Sequence, residues 1–361
     1  MPFDVRDFPA AQGPEFDTPE ERKRRWVAGW LGVVASMILV MIVLGGATRL
    51  TGSGLSIMEW APLSGVLPPI GEAEWRRLFA LYQKIPQYAL VNADFDLAAF
   101  KHIFWLEWVH RLWGRLLGVA FLIPLVVFVA RGMIPRRLVP RLVLLFALGA
   151  LQGAVGWFMV ESGFLPDSTS VSAYRLVAHL ALALALYAAL VWTALTMWPR
   201  APHAPAPKTA RRLAGATVVL VGLTILAGGF VAGLHAGLIY NTFPLMDGRL
   251  VPEDYARLAP FARNLTENVA AVQFDHRVLA TLTAITALAA AVAGLRGAPP
   301  RDTRMAFLTL GGAVIIQYVL GVTTLLHAVP VDLAVAHQAC AVLVLTAALA
   351  AWHSCAGRQR R

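Results

Sequence analysis

The stretch Glu107-Trp108-Val109-His110-Arg111-Leu112-Trp113-Gly114-Arg115 sets a carboxylate, an imidazole and two guanidiniums at the mouth of an apolar run, Leu116 to Ala130. That run reads as membrane span, and ionisable groups at such depth are costly and usually functional. Glu107 and His110 are three apart, so on a helix they share a face. Taken alone, the stretch also fits an interfacial helix end, with Arg111 and Arg115 snorkelling to headgroups and His110 satisfied by a carbonyl.

The rest of the chain is built in the same way. Hydrophobic residues make up 58% of the 361 and charged residues 14%, with repeated runs long enough to cross a bilayer. This is the composition of a polytopic membrane protein and not of a soluble core. The net charge of +10 lies in short clusters between the apolar runs, as orientation signals do, and does not point to nucleic acid. Asp4, Asp7, Glu15 and Asp17 in the polar N-terminus argue against a signal or transit peptide, so a bacterial inner-membrane protein is expected. Cys340 and Cys355 form no motif and are read as inert.

The expected fold is an all-α polytopic membrane protein with eight transmembrane helices, near 26–46, 104–130, 142–162, 173–198, 213–234, 270–295, 305–327 and 333–352. One set of loops is short and basic: Arg22–Arg25, then Arg131, Arg136, Arg137 and Arg141, then Arg200, Lys208, Arg211 and Arg212. It continues with Arg296, Arg301 and Arg304 and ends with Arg358, Arg360 and Arg361. These loops should face the cytoplasm, with both termini inside. The chain then divides into a cytoplasmic segment 1–25, an N-terminal half 26–198, a Pro-rich linker 199–212, a C-terminal half 213–352 and a tail 353–361. The opposite loops after spans 1 and 5 are long. In the first, residues 73–80 read as an amphipathic stretch suited to the membrane surface, and the loop reads as either a lid or a solvated connector.

The two halves echo each other. Gly45-Gly46 answers Gly228-Gly229, and His110-Arg111 answers His276-Arg277. Gln152 with Gly156 answers Gln317 with Gly321, and Ala178-His179 answers Ala336-His337. Four spans per half give parallel repeats, hence two pseudo-symmetric four-helix bundles. His110, His179, His276 and His337 each lie about four to seven residues inside the outer end of an even-numbered span, roughly 6–10 Å deep at about 1.5 Å per residue. Two imidazoles on facing helices can ligate one haem iron from both sides, so one pair per half predicts two haem sites. His102, His203, His235, His327 and His353 are given no ligand role. Arg49, Arg111, Arg115, Arg175 and Arg277 crowd the outer rim, suited to haem propionates or to lipid headgroups.

With these residues in view the chain resembles the haem A synthase family nearly end to end. The resemblance rests on Gly45-Gly46-Ala47-Thr48-Arg49-Leu50-Thr51-Gly52-Ser53-Gly54-Leu55-Ser56, Glu107-x-x-His110-Arg111 and Gln152-Gly153-x-x-Gly156-Trp157. It continues through Asn241-Thr242-Phe243-Pro244-Leu245-Met246-x-Gly248 and Asp275-His276-Arg277. Such enzymes oxidise the ring D methyl group of haem O to a formyl group, by successive hydroxylations and loss of water, giving haem A for terminal oxidases. The resemblance implies substrate haem on His110 and His179, a haem b cofactor on His276 and His337, and Glu107 as the catalytic carboxylate. It also implies haem O synthase and cytochrome oxidase assembly proteins as partners. The first outer loop lacks the cysteine pair of some members. The rival readings are a diheme cytochrome b that only carries electrons and a haem transporter or delivery protein.

Overall fold

A computed structural model describes residues 18–62, 64–200 and 203–357. Most of the N-terminal segment, residue 63, two linker residues and the last four residues, with Arg358, Arg360 and Arg361, lie outside the described residues. Among the described residues, eight helices are long and apolar enough to cross a membrane. They run Pro19–Leu50, Leu97–Ala130, Val139–Glu161, Ala173–Met197, Lys208–Gly233, Val269–Leu295, Arg301–Leu326 and Val331–Ser354, and are called spans 1 to 8. The described residues contain no strand, only an isolated bridge between Met246 and Arg249.

Several helices start outside the apolar runs because local chemistry starts them there. Span 1 opens on a capping box: Thr18 Oγ1 accepts from Glu21 N–H and the Glu21 carboxylate accepts from Thr18 N–H, with Pro19 in the first turn. Asp96 caps span 2 by accepting from Ala99 N–H at 2.8 Å, and Asn268 caps span 6 by accepting from Ala270 and Ala271 N–H. Span 2 therefore projects beyond the apolar run that marks it in the sequence.

Spans 1–4 pack in a ring, each on its neighbour and span 4 back on span 1, and spans 5–8 do the same. Spans 1, 4, 5 and 8 also pack across between the two sets. Burial follows from this arrangement. The most apolar windows of spans 1, 4 and 8 are 44%, 39% and 33% buried, whereas that of span 3, which lies away from the junction, is 6% buried. The main core accordingly draws on Leu31, Val34, Leu190, Ala214, Val344 and Ala348 at the junction.

The first outer loop folds into a cap with its own core. Its helix Glu72–Tyr82 buries Trp75, Leu78 and Tyr82 against Phe100, Ile103 and Phe104 of the projecting end of span 2. The amphipathic stretch thus turns its apolar face to the protein. Protein side chains are available there to cover it, since span 2 is helical from Leu97. Polar links close the cap: Gln87 Nε2 donates to Gly52 O, and Arg77 bridges Glu59 and Glu74.

Candidate functional site

His110, His179, His276 and His337, on the even-numbered spans, each sit against a glycine on the preceding span. A Cβ on Gly45 would lie 3.0 Å from His110 Cε1, and one on Gly228 would lie 3.0 Å from His276 Cε1. The same construction gives 2.9 Å from Gly156 to His179 and 2.7 Å from Gly321 to His337. No side chain fits in these gaps without moving the ring, so glycine is required here for close approach. Spans 2 and 4 stand opposite each other in the first ring, and spans 6 and 8 in the second. The fold therefore brings the four together as two pairs. Among the described residues no three His, Cys, Asp or Glu side chains converge on a bare metal ion.

The polar atoms around the pairs are unevenly satisfied. Gln152 Nε2 donates to His179 O at 2.8 Å, and the Gln317 amide lies 3.1 Å from His337 Nδ1. His276 Nδ1 meets Thr224 O at 3.1 Å, which places the proton on Nδ1 and leaves Nε2 as the free lone pair. The buried side-chain N and O atoms without a partner, among the described residues, are Trp108 Nε1, His110 Nδ1, Gln152 Oε1, His179 Nδ1, Arg277 Nε and Gln317 Oε1. Every one belongs to, or lies within two residues of, a candidate ligand or its glutamine. Buried polar groups are normally paired, so their concentration here marks a site whose partners are not protein. The donor set, paired imidazoles with a free nitrogen in an apolar bundle, suits axial ligation of a haem. Exchanging the two ends of the Gln317 amide, which are alike in shape, would let its oxygen accept from His337 Nδ1–H and free Nε2 for iron.

Glu107 is buried at 3% exposure, and both oxygens are engaged. Oε2 accepts from Ser56 N–H and Ser56 Oγ at 2.7 Å and from Ile57 N–H at 2.9 Å. Oε1 accepts from Arg111 Nε at 3.1 Å and from Nη2 at 2.7 Å. Arg111 in turn donates to Ile57 O and Glu59 O. Its guanidinium lies over the Trp157 ring, itself stacked on Trp60. Arg115 donates to Ala61 O and Pro62 O. The carboxylate thus fastens the start of the first outer loop beside His110.

The other half repeats this arrangement with an amide. Gln273 stands three before His276 and four before Arg277, as Glu107 stands to His110 and Arg111. Gln273 Oε1 accepts from Arg277 Nη2 at 3.0 Å while its Nε2 donates to Ala236 O and Ile239 O. Arg277 then donates to Tyr240 O and Thr242 O of the second outer loop. Sequence reading missed Gln273, although Gln273-x-x-His276-Arg277 against Glu107-x-x-His110-Arg111 was the signal for it. Of the remaining rim cations, Arg49 donates across the junction to Ala232 O. Arg175 donates to Phe158 O and stacks on the Phe158 ring.

The model of a protein family described as cytochrome oxidase assembly protein (COX15-CtaA) matches residues 28–349. A protein named "Heme A synthase" from Granulibacter bethesdensis is 60% identical over 345 residues, covering 95% of this chain and 91% of its own length. "Heme A synthase 2" of Acidiphilium cryptum is 50% identical over 347 residues, 94% of each chain. "Heme A synthase" of Caulobacter sp. strain K31 is 48% identical over 332 residues, 91% of this chain and 96% of its own.

Proposed function

The chain belongs to the haem A synthase family of cytochrome oxidase assembly proteins, and from that premise we propose that it is a membrane oxidoreductase acting on haem O. It makes haem A, by oxidising the ring D methyl group to a formyl group. The His110–His179 pair binds the substrate and the His276–His337 pair binds a haem b cofactor. We take the two rings of four spans as a duplicated bundle, in a bacterial inner membrane with both termini in the cytoplasm. The observation that carries this reading is the fourfold glycine–histidine seat together with the orphaned polar atoms gathered around it.

Bound haem supplies the redox reach that protein side chains lack. The chain's own residues position and enclose. Gly45 and Gly156 let the two imidazoles stand close to their neighbouring helices, and Gln152 holds the His179 turn. Glu107 is the carboxylate nearest the substrate pair in sequence and on the same helix face. We give it the part of the catalytic carboxylate, placed to hold or move a proton during methyl oxidation, and its bonds to Ser56, Ile57 and Arg111 also fix the first outer loop over the site, which helps keep water from the reacting methyl group. Arg49, Arg111, Arg115, Arg175 and Arg277 supply positive charge at the rim, where the haem propionates would lie.

Incubating the purified protein with haem O and chromatographing the extracted haems tests the activity. The hydroxymethyl and formyl products are expected. Recovery of unchanged haem O from protein that retains its own haem would favour an electron-carrying cytochrome b.

A further inference from the structure

Each Gly-Gly pair faces two ways. Gly45 backs onto His110, whereas Gly46 backs onto span 8, where a Cβ would fall 2.5 Å from Gln338 Oε1. Gly228 backs onto His276, whereas Gly229 backs onto span 4, where a Cβ would fall 3.0 Å from Val177 Cγ2 and 3.2 Å from Leu180 Cδ2. Gln338 directly follows His337, and Leu180 directly follows His179. Each half therefore reaches across the junction with the residue beside its own histidine. It meets the glycine beside the glycine that seats the other half's histidine.

The two crossings differ in chemistry. Leu180 makes a non-directional apolar contact. Gln338 Nε2 donates to Ile42 O at 2.7 Å. That carbonyl lies one turn before Gly46 and belongs to a buried residue, so the bond ties span 8 to the turn of span 1 that carries Gly45 and Gly46. We propose that Gln338 is a positioning residue that couples the two haem sites, so that filling the His276–His337 pair tightens haem O binding at the His110–His179 pair. The proposal rests on the reading of the four histidines as haem ligands. Fixing His337 on iron fixes the adjacent Gln338, which holds the Ile42–Gly46 turn and thereby the backbone against which His110 is seated. Close packing without a Cβ leaves little slack at either glycine, so a shift at one ring is passed on.

The test measures haem O affinity, by absorbance titration, in protein purified with haem b and in protein from a haem-deficient host. In the wild type, haem b should tighten haem O binding about fivefold or more, the range usual for coupled sites. Gln338→Leu copies the residue at the matching place in the other half. It should retain haem b and the uncoupled haem O affinity, while the coupling falls to a factor near one. Gly46→Ala, which displaces the Gln338 amide, should do the same. A wild-type coupling factor in either variant overturns the proposal, as does a factor of one in the wild type. Loss of haem b from Gln338→Leu also overturns it, since Gln338 would then serve the His337 site alone. A wild-type protein that binds no haem would instead overturn the ligand reading on which the proposal rests.

Discussion

Gly321 lies so close to His337 that a Cβ at residue 321 would stand 2.7 Å from the imidazole Cε1. Alanine favours a helix over glycine by about 1 kcal/mol, so Gly321→Ala should strengthen span 7 while pushing the ring out of place. We predict at least a tenfold loss of haem b from Gly321→Ala and from Gly228→Ala, read by pyridine haemochrome on folded protein. Gly45→Ala and Gly156→Ala should keep haem b and fail to convert haem O. Full haem b in the first two variants would remove the seat from the account.

Glu107 and Gln273 each accept from the arginine four residues on, but Glu107 also accepts from the N–H groups of its outer loop whereas Gln273 donates to the carbonyls of its own. An amide at residue 107 keeps one acceptor oxygen for the Ser56 and Ile57 N–H groups. Glu107→Gln should fold and keep haem b, while haem A yield falls at least tenfold and haem O or its hydroxymethyl form accumulates. Glu107→Ala should destabilise more, since breaking a buried ion pair from one side costs about 3–5 kcal/mol. Unchanged haem A yield from Glu107→Gln would restrict the residue to loop anchoring alone.

The cap should loosen in acid. Hydrogen bonds from Arg77 hold the Glu59 and Glu74 carboxyls below their ordinary value of 4.5. Groups depressed on folding stabilise the folded cap above that value and lose the contribution as pH falls through the depressed values. Both are largely exposed, so the effect is small and salt-sensitive. Limited proteolysis of residues 59–82 should stay constant from pH 8 to about 5 and rise below about 4.5. Arg77→Gln should abolish the rise by raising cleavage at neutral pH.

The orientation follows from the basic loops. Reporter fusions at Pro205 and Asp254 should report opposite sides of the membrane, with Pro205 cytoplasmic. The same side for both would reject the topology.

The number and order of the spans were legible because apolar length is a one-dimensional property of the chain. The starts of spans 1 and 2 were not, since Thr18 and Asp96 extend them by capping residues that hydropathy does not weigh. Pairing of histidines with glycines was half legible. Gly45-Gly46 and Gly228-Gly229 stood out as repeats, but the second glycine's partner depends on how the halves pack. The amphipathic Glu72–Tyr82 helix was visible, whereas its choice of protein over lipid depended on the projecting end of span 2. The rim arginines were read for propionates or headgroups. Their bonds to loop carbonyls at Ile57, Glu59, Ala61, Pro62, Tyr240 and Thr242 need the folded loops to be seen.

The central claim is one haem site per half, each on its own pair of histidines. The haem content of the four purified alanine variants, by pyridine haemochrome and chromatography, tests it most directly. His276→Ala and His337→Ala should lose haem b, while His110→Ala and His179→Ala should retain it and leave haem O unconverted. Equal loss of haem b from all four variants would contradict the assignment.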